Sequence, residues 1–264
     1  MTGNKFNEFV EIVKKLRLEC PWDREQTNDS IKAATIEEAY EVVEAIEKKN
    51  FADLKGELGD LLLHVVFHTI IASEQNSFNI DDVIDSIQSK LIRRHPHVFG
   101  DVKVSGSQEV KKNWEEIKLE EGRNSVLDGV PEMLPALQRA HRLQEKAAKV
   151  GFDWEKKEDV WKKVIEEIEE MHEVEVQKQN MKGNGDSEDL YETLESEVGD
   201  VFFALVNYSR FLDINPENAL RRTNAKFIRR FSYVEEKIKS TGKKLSDSNL
   251  KEMDFYWEES KKIF

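Results

Sequence analysis

Apolar residues recur every three or four positions along almost the whole chain, and strict alternation of apolar and polar positions is nearly absent. Phe6, Phe9, Val10, Val13 and Leu16 mark a first amphipathic helix that ends near Cys20-Pro21. The same period predicts helices over roughly 29–49, 52–74, 80–94 and 107–121. The 80–94 helix stops at His95-Pro96, because proline disfavours the helical conformation of the residue before it. Gly122, Gly129, Pro131 and Pro135 then break the pattern, so 122–135 reads as a linker. Helices resume over about 132–149, 157–181, 188–212, 216–240 and 247–263, with Lys182-Gly183-Asn184-Gly185-Asp186 as a loop. The expected fold class is all-α.

The two halves repeat each other in the same order, which is the mark of a tandem duplication. Glu37-Glu38-Ala39-Tyr40-Glu41 matches Glu166-Glu167-Ile168-Glu169-Glu170, and Glu57-Leu58-Gly59-Asp60-Leu61 matches Glu197-Val198-Gly199-Asp200-Val201. Lys90-Leu91-Ile92-Arg93-Arg94 matches Lys226-Phe227-Ile228-Arg229-Arg230, and Trp114 and Trp257 follow the two basic clusters. The chain therefore reads as two helical-bundle domains, 1–121 and 136–264, joined by 122–135.

The matched acids carry the candidate chemistry. Glu38 and Glu41 share one helix face, Glu57 and Asp60 share a face of the next helix, and a short connection near Asn50 makes the two helices antiparallel neighbours. Four carboxylates then converge, and Glu167, Glu170, Glu197 and Asp200 repeat the quartet. Such groups repel one another, and a hard divalent cation with oxygen ligands, Mg²⁺ or Mn²⁺, relieves the repulsion. The bland alternative is a solvated glutamate face, which suits Glu37 and Glu169. Against it, the helix carrying Glu57 and Asp60 continues as Leu61-Leu62-Leu63-His64-Val65-Val66-Phe67, apolar on nearly all sides and expected to be buried. Gly59 and Gly199 cost helix stability, so close packing or a ligand is expected beside them.

Asn224, Lys226, Arg229 and Arg230 form a basic cluster suited to phosphate, by the guanidinium fork and the lysine point charge. The competing reading is weak surface ion pairing; repetition as Lys90, Arg93 and Arg94 favours phosphate. Trp257, beside Tyr256, stacks on a base or anchors a core or dimer contact, and both readings stand. Lys163 precedes Glu167 by one turn and is within reach of a phosphate, whereas Ala34 occupies the matching place in the first half. His64 and His68 fall on the stripe of Glu57 and Asp60, but Ala204 and Tyr208 replace them in the second half, so they read as satisfied core histidines. His95 and His97 shape a helix-terminating turn or contact a phosphate, and both readings stand.

Charge and composition narrow the function. The 264 residues carry a formal net charge of −13, opposite to that of a free-standing nucleic-acid binder. Cys20 is the single cysteine, which excludes an intrachain disulfide, and the amphipathic N-terminus has no secretory pattern, so a cytoplasmic protein is expected. The longest apolar run, Leu61 to Ala72, is too short to span a bilayer, so no membrane association is expected. No phosphate-binding glycine loop, dinucleotide fingerprint, nucleophile elbow or zinc spacing is present. The chemistry must come from metal, water and charge.

With these residues in place, the sequence resembles the MazG family of nucleoside triphosphate pyrophosphohydrolases, in its two-domain form. The resemblance rests on EExxE followed by ExxD, present as Glu37-Glu38-x-x-Glu41 with Glu57-x-x-Asp60 and again as Glu166-Glu167-x-x-Glu170 with Glu197-x-x-Asp200. Cys20-Pro21-Trp22-Asp23, the Arg93-to-Gly100 segment, Gly129-Val130-Pro131 and Gly151-Phe152-Asp153-Trp154 also look like this family. It implies an all-α fold, Mg²⁺ dependence, a homodimer, and conversion of nucleoside triphosphates to monophosphates plus pyrophosphate, with the C-terminal domain as the usual catalytic one. On this reading Glu167, Glu170, Glu197 and Asp200 hold the metal, water attacks the α-phosphorus, and Lys226 and Arg230 face the leaving group. The one departure is a longer loop between the acidic pairs of the second half, through Lys182 to Ser187, which bears on base preference. The alternative is a non-catalytic helical regulator or adaptor with a structural cation site.

Overall fold

The structure, a computed structural model, describes residues 2–121, 125–180 and 187–264. Among them the main elements are α-helices and no strand occurs. Contacts divide the chain into two compact units, Met1–Val110 and Lys111–Phe264. The division falls inside one helix, ahead of the stretch 122–135.

The first unit contains α1 (Thr2–Glu19), α2 (Pro21–Glu25), α3 (Lys32–Glu47), α4 (Phe51–Glu74), α5 (Ile80–Arg94) and α6 (Pro96–Phe99). Two short helices, α2 and α6, were not expected. Both start on a proline, whose missing N–H is no loss in a first turn. The core joins α1 to the C-terminal half of α4: Val10 and Val13 pack with Val66, Phe67, Ile70 and Ile71. The α3–α4 connection is tight. Lys49 takes a positive φ of 54°, and the Asn50 side chain accepts from the backbone N–H groups of Ala52 and Asp53 at 3.1 and 3.3 Å, which starts α4.

The second unit contains α8 (Ala136–Lys149), α9 (Lys157–Asn180), α10 (Ser187–Phe211), α11 (Pro216–Ser240) and α12 (Leu250–Ser260), while α7 (Ser107–Glu120) crosses the division. Val160, Val164, Val206, Val234 and Ile238 are its most deeply buried apolar residues. The expected start of α8 near 132 is corrected to Ala136, because the chain turns after Pro131, with Leu134 N–H on Pro131 C=O at 3.4 Å, and Pro135 stands at the N-cap. The final helix likewise begins at Leu250, not 247. The Asn249 side chain caps it, and a 3₁₀ turn over Leu245–Asp247 precedes it. The loop expected at 182–186 lies outside the described residues.

The duplication is visible in the backbone. The helices α4 and α10 end alike, with Asn76 and Asp213 at φ of 53° and 55° and with the bonds Ser77 N–H to Ala72 C=O (3.1 Å) and Ile214 N–H to Ser209 C=O (2.9 Å). Each unit also has an arginine–carboxylate brace, with the charges exchanged. In the first, Arg17 on α1 grips Glu74 on α4 through Nε and Nη2, both at 2.8 Å. In the second, Arg210 on α10 grips Asp153, in the segment after α8.

Candidate active site

The helix pair α3–α4 brings Glu38, Glu41 and Glu57 together, with one carboxylate oxygen from each within 4.8 Å of the others. Asp60 stands outside this group of three, yet its charge acts on both Glu38 and Glu57. Desolvation and then the neighbouring acids, Glu41 foremost, push the carboxyl groups of Glu38 and Glu57 above the ordinary carboxylate range. His64 Nε2 is 4.0 Å from Glu38 Oε1. His64 and His68 both bond Thr35 Oγ1, at 2.9 and 2.8 Å, and His68 also bonds Asn28 Oδ1 at 2.8 Å, so these histidines are satisfied within the fold.

In the second unit α9 packs along α10, and Glu167, Glu197 and Asp200 form the corresponding group within 4.8 Å. Glu167 is 9 % exposed. Glu170 lies outside this group. Burial raises its carboxyl above the usual range, against the lowering effect of Lys163, and the neighbouring Glu167 helps to raise it. Lys163 Nζ bonds Glu166 Oε1 at 2.7 Å and Glu167 Oε1 at 2.8 Å, and these bonds hold its ammonium well above the ordinary lysine range. The second cluster thus carries its own cation, where the first has Ala34. Both donor sets consist of carboxylate oxygens, which fits a hard divalent cation.

Glu57 is half-buried and Asp60 exposed, and Leu58, Leu62 and Val65 on the first half of α4 are open to solvent. The expectation that this helix is buried throughout is therefore corrected. Its C-terminal half carries the buried residues Val66, Phe67 and Thr69 to Ala72, and Val66, Phe67, Ile70 and Ile71 pack with Val10 and Val13 of α1, while its head meets α3 on the acidic side and leaves Leu58, Leu62 and Val65 open. Close packing does not explain the paired glycines either: a Cβ at Gly59 or Gly199 meets nothing within 4 Å.

A cavity of about 630 Å³ adjoins the second cluster, and Lys163, Glu167 and Asp200 form part of its wall. The rest of its lining is mostly apolar and includes Leu127, Leu143, Phe152, Trp154, Phe203 and Ala204. Gly151 explains how the Phe152–Trp154 segment reaches it. At φ of 88° it ends α8 in a Schellman turn, with Phe152 N–H bonding Ala147 C=O at 3.1 Å and Gly151 N–H bonding Ala148 C=O at 3.0 Å.

The basic cluster on α11 does not line this cavity. Asn224, Lys226 and Arg229 are exposed. Arg230 lies over the Trp257 ring, 6.0 Å from its centroid, with its Nε buried, and Phe227 packs on the same indole at 5.3 Å. The cavity residues Gln144, Asn207 and Arg210 carried no sequence signal beyond helical period. Asp153 lay in a motif noted only for its resemblance.

Comparison with known proteins settles the family. The model of the MazG nucleotide pyrophosphohydrolase domain matches residues 26–99 and 155–234, so each match contains one acidic cluster. The chain belongs to the MazG family. It is thereby placed among the hydrolases. A nucleoside triphosphate pyrophosphohydrolase/pyrophosphatase MazG from Thermotoga maritima is 44 % identical over 264 residues, covering 98 % of this chain and 96 % of that protein. A nucleoside triphosphate pyrophosphohydrolase from Escherichia coli K12 is 41 % identical over 275 residues, 98 % of each chain. Among solved structures, a mazG-related protein from Thermotoga maritima aligns over 43 % of this chain and 98 % of its own, at 26 % identity and a TM-score of 0.39. No described helix of this MazG-family chain is long and apolar enough to cross a membrane.

Proposed function

We propose that the chain hydrolyses nucleoside triphosphates to monophosphates and pyrophosphate, and that the second unit does most of the work. The observation that carries this reading is the contact between the Glu167–Glu197–Asp200 cluster and a cavity large enough for a nucleoside. The names of the relatives support the reaction class.

Glu167, Glu197 and Asp200 would hold Mg²⁺ or Mn²⁺, with Glu170, one turn from Glu167, as the fourth acid of the site. A bound divalent ion polarises phosphate oxygens and lowers the pKa of water. The chain's own residues do the rest. The apolar wall takes the nucleoside and excludes water from its face. Lys163 exchanges a carboxylate partner for a phosphate oxygen. Water adds to the α-phosphorus, the bond from that phosphorus to the α–β bridging oxygen breaks, and a carboxylate of the cluster accepts the water proton. Lys226 and Arg230, with Asn224 and Arg229, remain the proposed contacts to the departing pyrophosphate, and Trp257 holds Arg230 in place. The first cluster, where Ala34 stands in place of Lys163, is read as weaker or regulatory.

Product analysis tests the reaction. Monophosphate plus pyrophosphate is expected with Mg²⁺ and none with excess chelator. Diphosphate plus orthophosphate would identify another hydrolase, and no turnover would leave the regulator reading. Asp200→Asn removes a ligand charge at nearly constant shape. Several kcal/mol of charge stabilisation are at stake, so a rate loss on the order of 100-fold or more is expected. Asp60→Asn should cost much less, and equal losses would overturn the assignment to the second unit.

A further inference from the structure

The cavity beside the second acidic cluster has a mostly apolar lining that also carries, besides Lys163, Glu167 and Asp200, a braced polar group. That group consists of Asn207 and Arg210 on α10 and of Asp153, held in the segment after α8. Arg210 Nη1 donates to Asp153 Oδ2 at 2.9 Å, and Nη2 bonds Asp153 Oδ1. The same guanidinium donates through Nε and Nη2 to Asn207 Oδ1, at 3.2 and 3.0 Å. The Arg210 and Asp153 side chains are 17 % and 27 % exposed, so the brace is partly withdrawn from water and the Asp153 charge is neutralised where it lies.

The brace fixes which way the asparagine amide points. A guanidinium has donors and no acceptor, so chemistry puts the amide oxygen against Arg210. With Oδ1 engaged, the group that Asn207 still offers to a cavity occupant is its NH₂, a donor. Gln144 on α8 is a second side-chain amide in the same lining. It is 8 % exposed, gives its own NH₂ to Phe203 C=O at 2.8 Å, and keeps a buried Oε1 without a hydrogen-bond partner. A cavity meant for a purely apolar molecule would not be expected to carry two side-chain amides held at fixed orientation, since unpaired polar groups oppose burial of an apolar partner.

We propose that Asn207 is a specificity-determining residue, whose NH₂ donates to an acceptor atom on the edge of the nucleobase, a carbonyl oxygen or a ring nitrogen. Arg210 and Asp153 are positioning residues that hold the asparagine for this contact. The inference rests on the triphosphate-hydrolysing reading above and adds to it what the cavity reads. Apolar walls tolerate any planar base, whereas a fixed donor distinguishes bases by where their acceptors lie.

The test compares two substrates in the full-length protein with Mg²⁺: the best of the common nucleoside triphosphates, and ribose 5-triphosphate, which has no base. The readout is the ratio of their kcat/KM values for pyrophosphate release. Asn207→Asp keeps an oxygen for Arg210 and removes the NH₂; Asn207→Leu removes both. In each the ratio should fall about tenfold, the effect of one lost hydrogen bond that leaves its partner unpaired. Arg210→Lys, which lacks the fork, should lower the ratio in the same direction. An unchanged ratio in Asn207→Asp, with equal losses on both substrates, would overturn the base contact and leave Asn207 structural. Absence of pyrophosphate release by the unmodified protein from every triphosphate would instead remove the reading on which the inference stands.

Discussion

Two residues set the electrostatic difference between the repeats: Lys163 in the second, Ala34 in the first. Without a cation of that kind, Glu38 and Glu57 have their carboxyl groups raised by burial and by neighbouring acids. The sign of the consequence follows from linkage. A carboxyl whose folded pKa exceeds its unfolded value stabilises the fold fully below the ordinary carboxylate pKa, and that contribution is lost as pH rises through the raised value. At neutral pH the first cluster therefore opposes folding unless a cation neutralises it. Glu57→Gln should raise the thermal midpoint in excess chelator at neutral pH and should reduce the further gain on adding Mg²⁺. Paired thermal scans check this; a variant less stable than the parent in chelator would show that Glu57 is not under repulsive strain. The acids of both clusters were legible in the sequence, because helical spacing alone puts Glu38 with Glu41 and Glu167 with Glu170 on one face. The Lys163 contacts to Glu166 and Glu167 follow the same local rule. The Arg210 contacts to Asp153 do not, since those residues are 57 positions apart and meet only through packing.

Among the elements, prediction succeeded where an apolar period ran between clear caps. The helix α5 is the plainest case. Asn79 accepts from the N–H groups of Asp81 and Asp82 at 2.8 and 3.2 Å, and Asp82 Oδ2 accepts from Asn79 N–H at 2.8 Å, a complete capping box. Asn79→Ala should destabilise the first unit by about 1 kcal/mol, the usual effect of a lost N-cap. Denaturant unfolding checks it, and a change within error would mean that water replaces the cap without loss. Sequence reading failed at the starts of α8 and α12 and missed α2 and α6. Proline and asparagine capping, not apolar periodicity, decides those boundaries. It also overstated the burial of α4, because periodicity reports which residues are apolar and not how much neighbouring chain there is to cover them.

At the scale of the molecule, that uncovered surface has a natural explanation. Leu58, Leu62 and Val65 in the first unit, and Phe202 in the second, are each more than two-fifths exposed near the acidic residues in the chain. Apolar faces of this kind are normally covered by a second layer of helices. We propose a homodimer in which the partner copy supplies that layer. Light scattering at micromolar concentration should give twice the 30.8 kDa chain mass, and a monomer would overturn the proposal. The helices, their duplication and the acidic pairs within each helix were determined by the sequence alone, because each depends on spacings of a few residues within one helix or on matching two stretches of text, whereas the packing of α3 on α4 and of α9 on α10 joined the pairs and left Asp60 and Glu170 outside the groups. The cavity, its Asn207–Arg210–Asp153 group and the exposed apolar residues at the head of α4 were decided only by the tertiary structure. They depend on which distant segments pack together, and helical period carries no information about a partner across the fold.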